Sequence, residues 1–205
     1  MSYPKIKICG LTTQTDAAIV NAYEVDYAGF VLFYEKSKRY LPTGKVKTIL
    51  NSLDAHIQSV AVSVSPTLEQ LREIESLGFA ILQVHGELSE EVLLHSNIPI
   101  WYAYNLDNKL ESLMYAKEDK VTGYVIDGAK PGSGEPFSWS LLSNYEKGGK
   151  LFILAGGLDC NNVSNGIQML HPDIVDVSSA VEGLSGKDEV KVKEFVREVR
   201  KIERK

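Results

Sequence analysis

Short apolar runs alternate with helical stretches along almost the whole sequence. Eight runs are rich in Val, Ile and aromatic residues, and several are apolar on both faces, as buried parallel strands are. The predicted strands cover residues 5–9, 27–33, 57–64, 79–84, 98–104, 123–127, 151–155 and 174–177. The pattern therefore predicts about eight consecutive strand–helix units.

The segments between these runs carry the signals that start and end helices. Thr67 and Gln70 form a capping box, Leu and Ile residues recur at helical spacing after it, and Gly78 marks the end. Ser89 marks the start of another helix. Two further helices are predicted from the apolar stripes Val163, Ile167, Leu170 and Val192, Phe195, Val196, Val199. Less regular helical patterns cover residues 13–23, 43–53, 109–116 and 137–145.

An unbroken series of strand–helix units can close into a barrel or remain an open, doubly wound sheet. The first run leads into Cys9-Gly10-Leu11 and not into a GxGxxG turn, and the glycine-rich segments come late, after the seventh and eighth strands. This order favours an α/β fold with a single (βα)8 TIM barrel and short loops, spanning residues 1–205. No Gly/Ser-rich linker or low-complexity tract suggests a second domain.

The net charge and residue composition argue against several classes of binding partner. The net charge of −5, from 27 acidic and 22 basic residues, argues against a protein that wraps nucleic acid or coats anionic lipid. The negative net charge is still compatible with a phosphorylated small molecule as ligand, since one local site can bind it. No apolar run reaches the roughly 18 residues of a membrane span. The two cysteines lack CxxC spacing and the four histidines lack HxH or HExxH spacing, so we expect no metal and a cytoplasmic location.

Catalytic residues of a (βα)8 barrel stand at the C-terminal ends of its strands. The candidates at these positions and in the adjoining loops are Cys9, Arg39, Gln83, His85, Asp127, Gly132, Ser133, Gly134, Gly156, Gly157, Asp176, Ser178 and Ser179.

A phosphate site is predicted after the last two strands. Gly156 and Gly157 let backbone amides approach an anion, with the next helix expected to begin a residue or two beyond the following Leu-Asp pair. Asp176, Ser178 and Ser179 add two hydroxyls and further amides at the neighbouring strand end. A glycine pair alone can simply permit a tight turn, but two such segments in register favour phosphate binding.

The remaining candidates each keep a structural alternative. Asp127 precedes a glycine- and proline-rich loop that can cover a ligand, yet a strand-end carboxylate commonly only caps a turn. A lone cysteine such as Cys9 is commonly a small buried hydrophobe. Gln83 and His85 face the same side of their strand, where the histidine can be purely structural. Arg39 can hold a carboxylate in bidentate fashion, although basic loop clusters are usually just solvated.

Six motifs carry a family resemblance. They are Lys7-Ile8-Cys9-Gly10-Leu11-Thr12 with Asp16-Ala17, Gly29-Phe30-Val31 with Ser37 and Arg39-Tyr40, Leu82-Gln83-Val84-His85-Gly86, Gly132-Ser133-Gly134 with Phe137 and Trp139, Leu154-Ala155-Gly156-Gly157-Leu158, and Val175-Asp176-Val177-Ser178-Ser179 with Val181-Glu182. Through them, nearly the whole sequence resembles the phosphoribosylanthranilate isomerases, (βα)8 enzymes of tryptophan biosynthesis. It departs from that pattern at Thr13, Ser63, Ser65, Gly128 and Ala180.

The resemblance implies a cofactor-independent Amadori rearrangement, in which N-(5'-phosphoribosyl)anthranilate becomes 1-(2-carboxyphenylamino)-1-deoxyribulose 5-phosphate. It also implies that Asp127 is the general acid, Cys9 the general base and Arg39 the partner of the anthranilate carboxylate. Gly157 and Ser179, with their neighbours, match the phosphate end. The other residues expected to bind substrate are Gln83, His85, Gly132, Ser133 and Gly134.

Other functions on the same fold differ in the residues they require. Indole-glycerol-phosphate synthase needs a lysine-centred acid and base, but no predicted strand ends in lysine. A pentose-phosphate epimerase needs paired aspartates and metal-binding histidines, and the sequence shows neither pattern. A histidine-pathway aminoaldose isomerase shares the chemistry and stays open, as does a barrel that binds a phosphorylated ligand without turnover, although that module would not need both Cys9 and Asp127. Both a monomer and a homodimer are compatible with the sequence.

Overall fold

Eight parallel strands form a closed barrel in which each strand pairs with the next and the last pairs with the first. The computed structural model describes residues 3–105, 117–127 and 149–202. The strands are β1 (Lys5–Cys9), β2 (Tyr27–Val31), β3 (Gln58–Val64), β4 (Ile81–His85), β5 (Ile100–Asn105), β6 (Val121–Asp127), β7 (Leu151–Leu154) and β8 (Ile174–Val177). The predicted (βα)8 barrel is confirmed, and the open sheet is excluded.

Helices connect the strands on the outside of the barrel. They are α1 (Gln14–Ala22), α2 (Thr43–Leu50), α3 (Leu68–Leu77), α4 (Glu90–His95), α5 (Val163–Leu170) and α6 (Glu189–Arg200), and a short 3₁₀ helix covers Ser179–Val181. The helices predicted over residues 109–116 and 137–145 lie outside the described residues. None of the described helices has the length and apolar character that crossing a membrane requires.

Side-chain caps fix where the helices begin. At α3 the amide of Gln70 donates to Thr67 Oγ1 at 3.2 Å, and the amide of Thr67 donates to Gln70 Oε1 at 3.0 Å. Thr13 and Asp16 form the same reciprocal pair at α1. Ser89 Oγ accepts from Val92 N at the start of α4. The capping box predicted at Thr67 and the helix start predicted at Ser89 are therefore confirmed.

Two apolar layers hold the barrel together. One fills its interior with Tyr27, Val60, Val62, Ile81, Trp101, Ala103, Val125, Ile153, Ala155 and Ile174. The other, larger layer lies between the strands and the helices. The rings of Tyr27 and Trp101 meet edge to face inside the barrel with centroids 5.0 Å apart. This packed interior closes the barrel below its C-terminal mouth.

Several elements are shorter than predicted. β2 ends at Val31, because the chain turns at Phe33 with a φ of 57°. β5 begins at Ile100, immediately after Pro99, whose nitrogen has no hydrogen to donate. α2 ends at Leu50, and not at residue 53. In each case the apolar pattern continues beyond the hydrogen-bonded element because the flanking residues still pack against the core.

Candidate active site

A cavity opens at the C-terminal ends of the strands and gathers most of the predicted site residues. Ten of them line it: Cys9, Arg39, Gln83, His85, Asp127, Gly156, Gly157, Asp176, Ser178 and Ser179. The other three, Gly132, Ser133 and Gly134, lie outside the described residues. Polar groups drawn from β1, β4, β6 and β8 thus face one space.

The proton-transfer candidates stand on well-separated strands. Cys9 is the last residue of β1 and Asp127 the last residue of β6. Two strands lie between β6 and β1 on one side of the barrel, and four on the other. Asp127 is 8% exposed, and Cys9 is a free cysteine. The thiol and the carboxylate therefore reach the cavity from different sides.

A buried ion pair lies beside Cys9 and was not predicted. Lys7 Nζ donates to Asp176 Oδ2 at 2.8 Å, and Lys7 is completely buried. The pairing of β1 with β8 sets these two residues opposite each other. This contact favours an ion-pair role for Asp176 over the predicted phosphate contact, since a carboxylate repels a phosphate. The position of Lys7, two residues before Cys9 in one strand, was the available signal.

The ion pair changes the proton affinity of its neighbours. Burial disfavours the charged form of Lys7, but the Asp176 carboxylate and the Cys9 sulfur together raise the pKa of Lys7 above its ordinary value. Burial also raises the pKa of the Cys9 thiol, while the ammonium groups of Lys7 and Lys187 act to lower it. A permanently charged cation thus lies next to the candidate base.

Gln83 and His85 form a hydrogen-bonded pair on one face of β4. Gln83 Nε2 lies 2.9 Å from His85 Nε2, so the amide donates when that ring nitrogen is unprotonated. Burial, aided by the charge of Lys7, lowers the pKa of His85 to about 4. The imidazole is therefore neutral near pH 7 and accepts this bond. Gln83 Oε1 is buried with no hydrogen-bond partner among the described residues, so it can accept from a ligand.

Arg39 is fixed by an acidic residue that was not predicted as a site residue. Its Nε donates to Glu182 Oε1, and Lys38 and Lys187 reach the same carboxylate at 2.7 and 3.3 Å. Burial alone would raise the pKa of Glu182, but these three cations lower it to about 2. A Cβ at Gly10 would lie 2.5 Å from Arg39 Cδ, so a glycine is needed there.

One edge of the Arg39 guanidinium remains available. Its Nη2 is buried and, in the part of the chain that the structure describes, has no hydrogen-bond partner. A buried donor without a partner is costly, and a bound carboxylate would satisfy it.

The predicted phosphate segment forms a tight turn after β7. Gly156 and Gly157 have φ values of 79° and 68°, which glycine adopts without strain. α5 begins at Val163, a few residues later than the predicted start just beyond Leu158 and Asp159. The reason is a side-chain turn in which Asp159 Oδ1 accepts from the amides of Asn161 and Asn162. The amino-terminal end of α5 therefore does not directly follow the glycine turn.

The two serines after β8 differ in their surroundings. Ser178 Oγ donates to the carbonyl of Cys9 at 2.8 Å, so this hydroxyl ties the end of β8 to the end of β1. Ser179 starts the 3₁₀ helix and lines the cavity. Among the described residues, no group of three or more His, Cys, Asp or Glu side chains is placed to hold a metal ion.

Comparison with known proteins gives one consistent result. The family model for N-(5'-phosphoribosyl)anthranilate (PRA) isomerase matches residues 6–198. The N-(5'-phosphoribosyl)anthranilate isomerase of Clostridium kluyveri is 38% identical over 200 residues, covering 97% of this chain and 98% of the relative. That of Clostridium acetobutylicum is 36% identical over 205 residues, with the same coverage.

Solved structures agree with the sequence comparison. The phosphoribosyl anthranilate isomerase of Thermotoga maritima is 30% identical, covers 97% of this chain with all of its own, and superposes with a TM-score of 0.87. A phosphoribosyl anthranilate isomerase in complex with reduced 1-(o-carboxyphenylamino)-1-deoxyribulose 5-phosphate is 28% identical, with the same coverage and a TM-score of 0.84.

Proposed function

Because the chain belongs to the N-(5'-phosphoribosyl)anthranilate isomerase family, we propose that Asp127 and Cys9 are the general acid and the general base of its reaction. Members of this family are isomerases that convert an aldose into a ketose and need no cofactor. The substrate of the chain is therefore N-(5'-phosphoribosyl)anthranilate, and the product is 1-(2-carboxyphenylamino)-1-deoxyribulose 5-phosphate.

The substrate is an anion at both ends, and the cavity offers a partner for each. The amides around Gly156, Gly157 and Ser179 receive the phosphate, while Arg39 receives the anthranilate carboxylate through its unpartnered Nη2. Gln83 lines the same cavity, and its unpartnered Oε1 can accept a hydrogen bond from a sugar hydroxyl. Two anionic anchors fix the ribose in place, which removes much of the entropic cost of reaching the transition state.

The chemistry needs one proton donor and one proton acceptor. Asp127 protonates the furanose ring oxygen, the bond from C1 to that oxygen breaks, and the nitrogen lone pair forms an iminium. The Cys9 thiolate then takes the proton from C2, and the released electron pair forms the C1–C2 double bond of an enolamine. Tautomerisation of this enolamine to the ketone completes the isomerisation with no net gain or loss of protons.

One observation carries this proposal. Cys9 and Asp127 end strands on different sides of the barrel yet line the same cavity as Arg39 and the glycine turn. An acid that acts on the ring oxygen and a base that acts on C2 require this kind of separation around a fixed substrate.

The test uses freshly generated N-(5'-phosphoribosyl)anthranilate and follows the change in anthranilate fluorescence. We expect Asp127→Asn and Cys9→Ser each to lower kcat by about 10²–10⁴-fold, because proton transfer is lost. Binding of a reduced product analogue should change little, because both anionic anchors remain.

Matched controls are Asp119→Asn, in an exposed turn before β6, and Cys160→Ser, the other free cysteine. Both should keep normal turnover. Near-normal turnover in Asp127→Asn would contradict the acid assignment, and the same result in Cys9→Ser would contradict the base assignment. If the unaltered protein bound the analogue but left the substrate unchanged, a binding protein without turnover would be the better description.

We further propose that the protein works in the cytoplasm on a small phosphorylated substrate. Both of its cysteines are free, which suits a reducing compartment. A free thiol at position 9 is also what the proposed base requires.

A further inference from the structure

Two opposite charges are buried beside the cavity, and one of them, Asp176, also lines it. Lys7 is 0% exposed and Asp176 is 7% exposed, and their side chains form a hydrogen bond of 2.8 Å. Removing two charges from water commonly costs as much as their attraction returns, so an apolar pair could fill this space equally well. The ion pair therefore calls for a role other than stability.

The lysine lies close to the candidate base. A Cβ built on Gly29 would be 2.9 Å from Cys9 Sγ and 3.1 Å from Lys7 Nζ. The sulfur and the ammonium nitrogen thus flank one small space, and the two distances together limit their separation to about 6 Å. Gly29 has no side chain to shield one from the other. At such a distance a cation favours the ionised form of a thiol.

The charges around the thiol oppose one another. Burial raises the pKa of Cys9, Lys7 and Lys187 lower it, and the Asp176 carboxylate raises it. Arg39, His85 and Asp127 line the same cavity, and His85 is neutral near pH 7. Lys187 bonds to Glu182 and to the carbonyl of Ser178, so its charge is largely committed elsewhere. The opposing charges of Lys7 and Asp176 are therefore the main influence on the ionisation of the Cys9 thiol.

We propose that Lys7 and Asp176 are positioning residues that set the fraction of Cys9 present as thiolate: Lys7 stabilises the anion, and Asp176 holds the ammonium in place while offsetting part of its charge. This inference rests on the proposed function of Cys9 as the base. Proton transfer from C2 breaks a C–H bond, forms the S–H bond and leaves the ion pair intact. The pair therefore acts through Cys9 and does not itself exchange protons with the substrate.

The test measures the thiol without any substrate. In a Cys160→Ser background only Cys9 reacts with iodoacetamide, and the pH dependence of its alkylation rate gives the midpoint of thiolate formation. We expect Asp176→Asn to move this midpoint down by about 1 pH unit, and Lys7→Met to move it up by about 1–2 units. The apparent pKa assigned to Cys9 in the pH profile of kcat/KM should move in the same directions.

A second variant protects the test from misfolding. Lys7→Met leaves a buried carboxylate without its cation, so Lys7→Met/Asp176→Asn removes both charges together. This double variant should still show a midpoint above that of Asp176→Asn, because the cation is gone. Midpoints that stay unchanged, or that move in one direction in all variants, would overturn the proposal.

The outcome separates this inference from the proposed function. If Cys9→Ser is inactive while the midpoints do not move, Cys9 is the base and the ion pair does not tune it. If the midpoints move as expected while Cys9→Ser retains turnover, the pair tunes the thiol but the base lies elsewhere.

Discussion

Glu182 holds Arg39 through Nε and leaves Nη2 for another carboxylate. We expect Glu182→Gln to raise the KM for N-(5'-phosphoribosyl)anthranilate about tenfold, equivalent to about 1.4 kcal/mol of binding, while kcat changes little. The reason is that Arg39 loses its anchor, whereas the proton-transfer groups are untouched. Steady-state kinetics by anthranilate fluorescence measures both constants.

The matched control for this change is Glu189→Gln on α6, where the carboxylate bonds to Tyr23 on the surface. It should leave both constants unaltered. A fall in kcat at constant KM in Glu182→Gln would instead place Glu182 in the chemical step.

His85 makes stability depend on pH. Its pKa is about 4 in the folded protein, mainly because of burial, against an ordinary value of 6.5. The unfolded chain therefore binds a proton first as the pH falls, so the free energy of unfolding decreases between pH 6.5 and about 4. Urea denaturation at pH 7 and pH 4 should show the unaltered protein losing about 1–3 kcal/mol more than His85→Gln. Equal losses in the two proteins would contradict the lowered pKa of His85 in the folded protein.

At the scale of single residues, the sequence located positions better than partners. Cys9 and Asp127 could be found because polar residues that close apolar strands must face the mouth of a barrel. The partners of Lys7 and Arg39 could not, because Asp176 and Glu182 lie 169 and 143 residues away. Which carboxylate pairs with which cation depends on how the strands pair and on the path of the loops. The local hydrophobic pattern predicts neither.

Helix α3 and helix α2 provide an opposed pair of glycine substitutions. Gly78 caps α3 with a φ of 89°, while Gly44 lies within α2 and outside the left-handed region. A Cβ at either position would meet no atom within 4 Å. We expect Gly78→Ala to destabilise by about 1 kcal/mol through backbone strain, and Gly44→Ala to stabilise by about 0.5 kcal/mol through reduced freedom of the unfolded chain. Thermal unfolding followed by circular dichroism measures both, and shifts of the same sign would contradict this account.

At the scale of elements, beginnings were more predictable than ends. Thr67 and Ser89 mark helix starts because their side chains satisfy amides that the helix leaves free. The start of α5 was misplaced because Asp159 captures two amides and delays the helix. Such a turn uses the same residue types as a cap, so composition alone does not separate the two.

The barrel interior leaves no room at Gly123. A Cβ there would lie 2.8 Å from Ile153 Cδ1 and 2.9 Å from Trp101 Cδ1. We expect Gly123→Ala to destabilise the whole barrel by about 1–3 kcal/mol, because close-packed interiors tolerate extra volume poorly. Urea denaturation monitored by circular dichroism measures the loss.

Ile153→Val removes one of the two crowded atoms and provides the partner for a double-mutant cycle. In the Ile153→Val background, Gly123→Ala should cost measurably less than it does alone. If the stability losses of the two substitutions simply added, the new Cβ at position 123 would not be crowded by the side chain of Ile153.

At the scale of the whole molecule, the eight strands were predictable from the sequence. Their closure into a barrel was favoured by the sequence but not determined by it. Period alone does not distinguish a barrel from an open sheet, since both bury strands between helices. The position of the late glycines favoured the barrel. In the structure β1 pairs with β8, with Lys7 opposite Asp176, and this pairing closes the barrel.

This closure has a consequence for how the enzyme comes into being on the ribosome. Lys7 is synthesised well before its carboxylate partner, which lies 169 residues downstream. At translation rates of about 5–20 residues per second, on the order of ten seconds pass before Asp176 exists. Throughout that interval Cys9, the proposed base, lacks the Lys7–Asp176 ion pair beside it. Catalytic competence therefore arrives late and abruptly, when the last strand docks against the first.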